Sequence, residues 1–189
     1  WALYGVRRCL EDIRHHVGAY LYESGQRIGS LELYLTGPGN FRDRLATIKP
    51  YKGNRDRSKR PYWYNEIRQY LIERWDARLV SGYEADDAVA MRQWNSEPGE
   101  TIICTIDKDL RMIPGHHYNY LKKDAEYIGQ REAITFFYRQ CLTGDQTDNI
   151  PGLWRYGDER ARKALPLDHA RSEQEMYDIV LGEYSRNIE

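Results

Sequence analysis

The sequence predicts an α/β fold with a mainly parallel sheet, and three observations predict it. Strand-like and helix-like segments alternate along the 189 residues, as they do in helix-flanked parallel sheets. The run Thr101-Ile102-Ile103-Cys104-Thr105-Ile106 is apolar and β-branched without a break, the pattern of a parallel strand covered on both faces. Carboxylates cluster directly after strand-like segments, where open parallel sheets place their sites.

The elements follow in order. Leu3, Val6, Leu10, Ile13 and Val17 recur at spacings of three and four, which predicts a helix from Trp1 to Leu21. Gly25 and Gly29 frame a turn, and Leu31-Glu32-Leu33-Tyr34-Leu35 alternates as a strand. Thr36-Gly37-Pro38-Gly39-Asn40 reads as the loop after it. The next stretch has little apolar periodicity, and is a loop or a loosely packed helical excursion. Tyr64, Ile67, Leu71 and Trp75 mark a helix ending near Asp76; Arg78-Leu79-Val80 is a short strand broken by Ser81-Gly82; and Glu84 to Trp94 is a helix. Beyond the central strand come a hairpin over Tyr118 to Gln130 and helices over Ile134 to Leu142, Asp158 to Leu165 and Met176 to Tyr184.

Length argues for one domain, large enough to bury a core. With 41% hydrophobic and 30% charged residues, the chain is not disordered. No apolar run approaches the ~18 residues of a membrane span, so no membrane partner is expected. Trp1 at the first position suggests a fragment or processed form, and Arg7, Arg8 and Asp12 interrupt any signal-like stretch. Cys9, Cys104 and Cys141 are odd in number and far apart. They suit neither a disulfide framework nor a zinc site, and a reducing cytoplasm is the expected location. The pairs His15-His16 and His116-His117 are not expected to share a metal, because adjacent side chains diverge. Nothing indicates an interface, so a monomer is expected.

A net charge of −1 hides two opposed segments. From Arg42 to Arg60 stand eight basic residues (Arg42, Arg44, Lys49, Lys52, Arg55, Arg57, Lys59, Arg60) against two acidic ones; from Glu84 to Asp109 stand seven acids against two bases. Such a division suggests a polyanionic partner and a cation site. Glu84, Asp86 and Asp87 open a helix after a strand, Asp107 and Asp109 follow the central strand, and Asp145 and Asp148 lie in a Gly-rich segment. Alone, each group is also explained by helix-dipole, turn or capping preferences. Together, the seven carboxylates are hard oxygen ligands suited to Mg²⁺ or Mn²⁺. A pair of such ions ~4 Å apart hydrolyses phosphodiesters, and the basic stretch would contact phosphates. Tyr51, Tyr62 and Trp63 flank that stretch as base-stacking candidates, whereas Tyr64, Tyr70 and Trp75 read as core.

Four segments, in order over roughly residues 31–165, resemble the 5′-nuclease or flap-endonuclease family. They are Tyr51-Lys52-Gly53-Asn54-Arg55, Gly82-Tyr83-Glu84-Ala85-Asp86-Asp87, Thr105-Ile106-Asp107-Lys108-Asp109-Leu110, and Thr143-Gly144-Asp145 through Gly152. The chain looks most like bacteriophage 5′→3′ exonucleases and the 5′-nuclease domain of bacterial DNA polymerase I. The resemblance implies a single PIN-like domain over residues 1–189, with a helix–turn–helix DNA-binding element at residues 143–165. It assigns all seven carboxylates to metal binding, directly or through water, and Lys52 and Arg55 to the scissile phosphate. DNA contacts are expected from Arg42, Lys49, Tyr51, Arg57, Lys59, Arg60, Gly152, Gly157, Arg160 and Lys163, with K⁺ at the helix–turn–helix. The implied substrate is DNA with a 5′ end or flap, and a DNA polymerase is a candidate partner.

Three departures stand beside the resemblance. The family's first strand and its aspartate are not among these 189 residues, since Trp1 already begins the helix that would follow them, and that ligand is looked for upstream. The segment Thr36 to Arg42 carries no carboxylate before Arg42. Arg155 occupies a position where the family has glycine, which puts the K⁺ loop in question. The sequence therefore also admits a catalytically impaired, structure-specific DNA-binding module of the same fold. A PIN-type ribonuclease is a third reading.

Overall fold

A computed structural model describes residues 1–23, 25–168 and 171–187, without the side chain of Arg57. In chain order the elements are α1 (Ala2–Glu23), β1 (Tyr34–Asn40), α2 (Arg42–Leu45), a 3₁₀ turn (Arg57–Lys59), α3 (Tyr64–Trp75), β2 (Arg78–Gly82) and α4 (Ala85–Trp94). There follow β3 (Ile102–Cys104), a second 3₁₀ turn (Lys108–Met112), β4 (Gly115–Asn119), β5 (Asp124–Ile128), α5 (Gln130–Thr143), β6 (Gly144–Asp145), β7 (Ile150–Pro151), α6 (Asp158–Ala164) and α7 (Glu173–Arg186). The chain divides into two compact units. Trp1–Phe41, Asp56–Leu110 and Gly115–Tyr127 form the first, and Arg42–Arg55, Arg111–Pro114 and Ile128–Glu189 the second.

The first unit is built on α1. Leu10, Ile13 and Val17 fall on one helical stripe and are buried with Tyr118, while Leu31, Leu33, Leu71, Trp75, Ile102 and Cys104 pack around them. The helix therefore lies where its periodicity predicts. β1 pairs in parallel with β2 through Leu35↔Leu79 and Thr36↔Val80. β3 pairs in parallel with β4, and β5 continues that sheet as the hairpin partner of β4. A strand followed by a crossover to a parallel neighbour is the unit expected of α/β folds. α3 ends at Asp76, whose left-handed backbone lets its N–H cap the Leu71 carbonyl.

Three strands differ in their bounds from those the sequence predicts. β1 begins at Tyr34 and runs through the segment expected to be a loop. The reason is close approach to β2: a Cβ on Gly37 would stand 2.3 Å from the Val80 carbonyl oxygen, so only glycine lets the strand continue there. Leu31 and Leu33 keep their apolar role before the strand starts. β2 correspondingly runs through Ser81-Gly82, with Gly82 opposite Asn40. β3 is shorter than the apolar run. The Thr105 N–H still donates to the Tyr118 carbonyl, but the Thr105 hydroxyl accepts from the Asp107 N–H and turns the chain away.

The second unit has its own core of Tyr138, Leu142, Tyr156, Ala161, Leu165, Met176 and Val180, drawn from α5, α6, α7 and the segments between them. The Arg139 guanidinium closes the end of α6 with two hydrogen bonds to the Leu165 carbonyl, at 2.9 and 2.7 Å. α7 starts at a capping box in which Ser172 and Glu175 satisfy each other's backbone N–H. Residues 144–157 join α5 to α6, and within them β6 and β7 pair antiparallel.

Burial pushes the Cys104 thiol up to about 11, so it stays protonated and unreactive at neutral pH, as its place in the core requires. Glu32 is the main ionic node of the first unit. It accepts from the Tyr34 hydroxyl at 2.7 Å and Arg92 Nε at 3.1 Å, and pairs with Arg78 at 3.2 Å. The Tyr34 hydrogen bond, then Arg92 and Arg78, hold its carboxyl below the ordinary 4.5 against the opposing effect of burial. Its stabilisation is therefore complete above about pH 4.5 and disappears as pH falls through the lower folded value. Glu32→Gln is expected to cost about 1 kcal/mol at pH 7, since the pair is partly screened by solvent. It should also flatten the acid limb of stability, read by urea melts between pH 7 and pH 3.

Candidate metal and nucleic-acid site

In the first unit, two groups of carboxylates follow the ends of parallel strands. Glu84 caps α4, with Asp86 and Asp87 in its first turn; the Glu84 side chain accepts from the backbone of Asp87, and Asp87 accepts from the Glu84 N–H at 2.9 Å. This reciprocal box orients two of the three acids. Thr36 of β1 fixes the helix start from outside, its hydroxyl accepting from the Ala85 N–H at 3.0 Å. After β3, Asp107 accepts from the Asp109 N–H at 2.9 Å and so starts the second 3₁₀ turn, while Lys108 stands 3.9 Å from Asp109. Asp86 and Asp107 are exposed, and Glu84, Asp87 and Asp109 half-buried.

The second unit holds the other acids and the basic motif. Asp145, only 4% exposed, accepts from the N–H groups of Thr147 and Asp148 and from Gln140 Nε2. Asp148 receives three side chains from the basic loop: the Tyr51 hydroxyl at 2.7 Å, Arg55 Nη2 at 2.7 Å and Lys52 Nζ at 3.7 Å. Two asparagines strap the same loops together, Asn54 to the Gln146 carbonyl at 2.8 Å and Asn149 to the Pro50 carbonyl at 2.9 Å. Both stand inside the sequence motifs, but an uncharged amide gives no signal of this role in sequence.

Among the described residues no group of three or more His, Cys, Asp or Glu side chains converges as a metal-holding cluster. The structure gathers the seven acids as Glu84 with Asp87, Asp107 beside Asp109, and Asp145 next to Asp148, with Asp86 on the exposed side of its turn. The donor set is nonetheless all carboxylate oxygen, which fits a hard divalent cation in chemistry. His116 and His117 diverge as expected: His117 is buried, while His116 meets Tyr20 and Tyr127.

The remaining candidates are dispersed. Arg42 and Lys52 lie over the Tyr51 ring at 5.9 and 4.9 Å, so that ring is covered rather than open for stacking. Tyr62 and Trp63 are exposed and meet edge to face. Lys59 pairs with Asp56, Arg60 lies over Tyr64, and the Arg57 side chain lies outside the described residues. Arg160 pairs with the half-buried Glu183 and lies over the Tyr156 ring, whereas Lys163 and Glu159 form an exposed pair, weak enough to yield to a phosphate.

An open concavity of about 630 Å³ in the second unit is lined by Lys49, Gln146, Asn149, Gly152, Arg155 and Gly157, among others. Trp154 beside it is 78% exposed and was not singled out by the sequence reading. Gly152 is demanded by the fold, because a Cβ there would lie 2.2 Å from the Thr143 carbonyl carbon. Gly157 has open space around it and serves as the cap of α6. Arg155 adopts φ 53, so the left-handed backbone is kept without glycine.

This is a mixed α/β, PIN-like fold, the fold of phage T5 5′-exonuclease. Solved structures of the bacteriophage T5 D15 protein superpose with TM-scores of 0.61 for a form co-crystallised with metal ions and 0.58 for a flap endonuclease complex with DNA and metal ions. Each covers 87% of this chain, and the chain covers 75% and 77% of them, at 16% and 17% identity. In sequence the chain is 41% identical over 101 residues to the thermostable DNA polymerase I of Thermus aquaticus, spanning 47% of this chain and 12% of the polymerase. It is 26% identical over 160 residues to the exodeoxyribonuclease of Enterobacteria phage T3, spanning 81% of this chain and 52% of that protein. The chain thus spans about half of the phage relative and a small part of the polymerases. No family model matches. These relatives bear out the 5′-nuclease resemblance carried by the four motifs.

The two loop positions give opposite expectations. Gly152→Ala should destabilise the second unit by about 1–3 kcal/mol through backbone overlap. Arg155→Gly should stabilise it by up to about 1 kcal/mol by relieving the left-handed conformation. Denaturant melts of both variants beside the parent check the pair.

Proposed function

We propose that the chain is a divalent-metal-dependent 5′ nuclease that cuts phosphodiester bonds in DNA carrying a free 5′ end or flap. One observation carries the reading: five carboxylates (Glu84, Asp86, Asp87, Asp107 and Asp109) follow the ends of two parallel strands within one unit. That is where open α/β sheets bind ligands. Like charges so placed repel, and a cation is what would draw them into one site.

These five side chains would hold metal in the first unit, and Asp145 and Asp148 are the metal ligands we propose for the second. When bound, such ions supply a nucleophilic water at neutral pH and offset charge on the departing oxygen. Mg²⁺ is the ion we propose, in two sites. Lys52 and Arg55 would bind the phosphate under attack and balance its developing charge. Residues 143–165, with Gly152, Gly157, Arg160 and Lys163, would act as the helix–turn–helix that holds one strand by its phosphates, K⁺ included, since Arg155 preserves the loop's backbone. Arg42, Lys49, Tyr51, Arg57, Lys59 and Arg60 would add contacts along the DNA. The proposal extends to a monomer acting in the cytoplasm beside a DNA polymerase.

A second reading, a structure-specific DNA-binding module that does not cut, is favoured by one observation. The carboxylate-free segment after Thr36 is spent on pairing with β2. Incubation of the 189-residue chain with 5′-flap DNA in Mg²⁺, beside an EDTA lane and Asp107→Ala, separates the two. The nuclease reading expects a product that EDTA removes and that Asp107→Ala abolishes while DNA binding is largely spared. Equal cleavage by the variant would overturn it, and flap binding without product would favour the module.

A further inference from the structure

We infer that Asp148 is a phosphate mimic that keeps the basic loop closed until DNA replaces it. The inference rests on reading that loop as a phosphate-contacting site. It concerns a positioning role for this carboxylate, in addition to any part in metal binding.

The geometry is that of an anion site already filled from within the chain. Asp148 is 16% exposed, and its two oxygens receive Tyr51, Lys52 and Arg55. A phenol, an ammonium and a guanidinium around one oxyanion form the donor set that also suits a phosphodiester. The Lys52 N–H donates to the Asp148 carbonyl at 2.9 Å, which fixes the register of the two loops. Lys52 has φ 52 and Asn149, next to Asp148, has φ 61. Backbone in this region is held against a local cost by the surrounding contacts. The clasp is therefore a closed state with opposing strain. Arg55 is 48% exposed, so an entering phosphate can reach it first and take over the other donors stepwise.

Two measurements, both on the full chain in EDTA, test this. In the first, trypsin cleavage after Lys52 and Arg55 is followed by mass spectrometry, with cleavage after Lys122 and Lys123 as the internal reference. Asp148→Asn should raise the first several-fold and leave the reference unchanged. Tyr51→Phe, which keeps the ring and removes one bond to the same carboxylate, should raise it less, and serves if Asp148→Asn proves unfolded by circular dichroism. In the second, binding of 5′-flap DNA is measured against salt. Asp148→Asn should bind roughly three- to tenfold tighter at low salt. The slope of log K against log salt should steepen by about 1–2. In a Lys52→Gln/Arg55→Gln background the gain should vanish.

Unchanged proteolysis after Lys52 and Arg55, or a gain in affinity that survives in the double-glutamine background, would overturn the inference. The latter result would mean that only overall charge matters. Neither readout depends on cleavage, so a chain that binds DNA without cutting it would overturn the nuclease reading and leave this test intact.

Discussion

Carboxylates placed at the ends of secondary structure need donors, and in each unit the local structure around the candidate acids supplies them. Glu84 and Asp87 satisfy each other's backbone at the start of α4. Asp107 starts a 3₁₀ turn by accepting from Asp109. Asp145, buried, takes two backbone N–H groups and an amide, and Asp148 takes a phenol and two cations. Uncompensated carboxylates at these positions would repel one another and pay a desolvation cost. The chain spends its caps, turns and basic loop on them instead. The same donors could satisfy a phosphate in place of the carboxylate, and a carboxylate so released could face a cation.

Strain is placed where this exchange would occur. Lys52, Asn149 and Arg155 all have left-handed backbones and all lie in the loops of the second unit. Their cost is carried by a core in which Leu142 and Ala161 are fully buried. A packed three-helix core would let such strained loops present backbone and basic side chains to a polyanion. In the first unit the comparable constraint is steric. Gly37 lets β1 lie against β2, and Thr36 beside it caps α4, so a single close approach of two strands determines where the three acids of that helix begin.

Much of the fold was legible in the sequence, for identifiable reasons. The α1 stripe at Leu10, Ile13 and Val17 has a strong 3.6-residue period and nothing competing with it. α3 likewise shows its stripe, whereas α5 begins four residues before the predicted Ile134 and α7 three before the predicted Met176, at a capping box that the apolar pattern does not reveal. The strand boundaries were less legible. β1 extends through a Gly-Pro-Gly segment that local rules assign to a loop, because pairing with a parallel neighbour outweighs turn propensity. β3 stops short inside an apolar run, because the hydroxyl of Thr105 redirects the chain. Trp154 and the two strapping asparagines gave no warning, since neither an isolated aromatic nor an amide reveals its partner.

The sequence by itself determined the class of fold, the inventory of acids and bases, and the order of the four motifs. These are properties of composition, periodicity and spacing, and they survive any rearrangement of the chain in space. Only the tertiary structure decided how the charges are spent. Asp148 and Arg55 are 93 residues apart and meet at 2.7 Å, a pairing that no local pattern encodes because it depends on two loops folded against each other. The left-handed backbone at Arg155 was decided in the same way: its side chain argues against that conformation, and the packing of the surrounding turn imposes it.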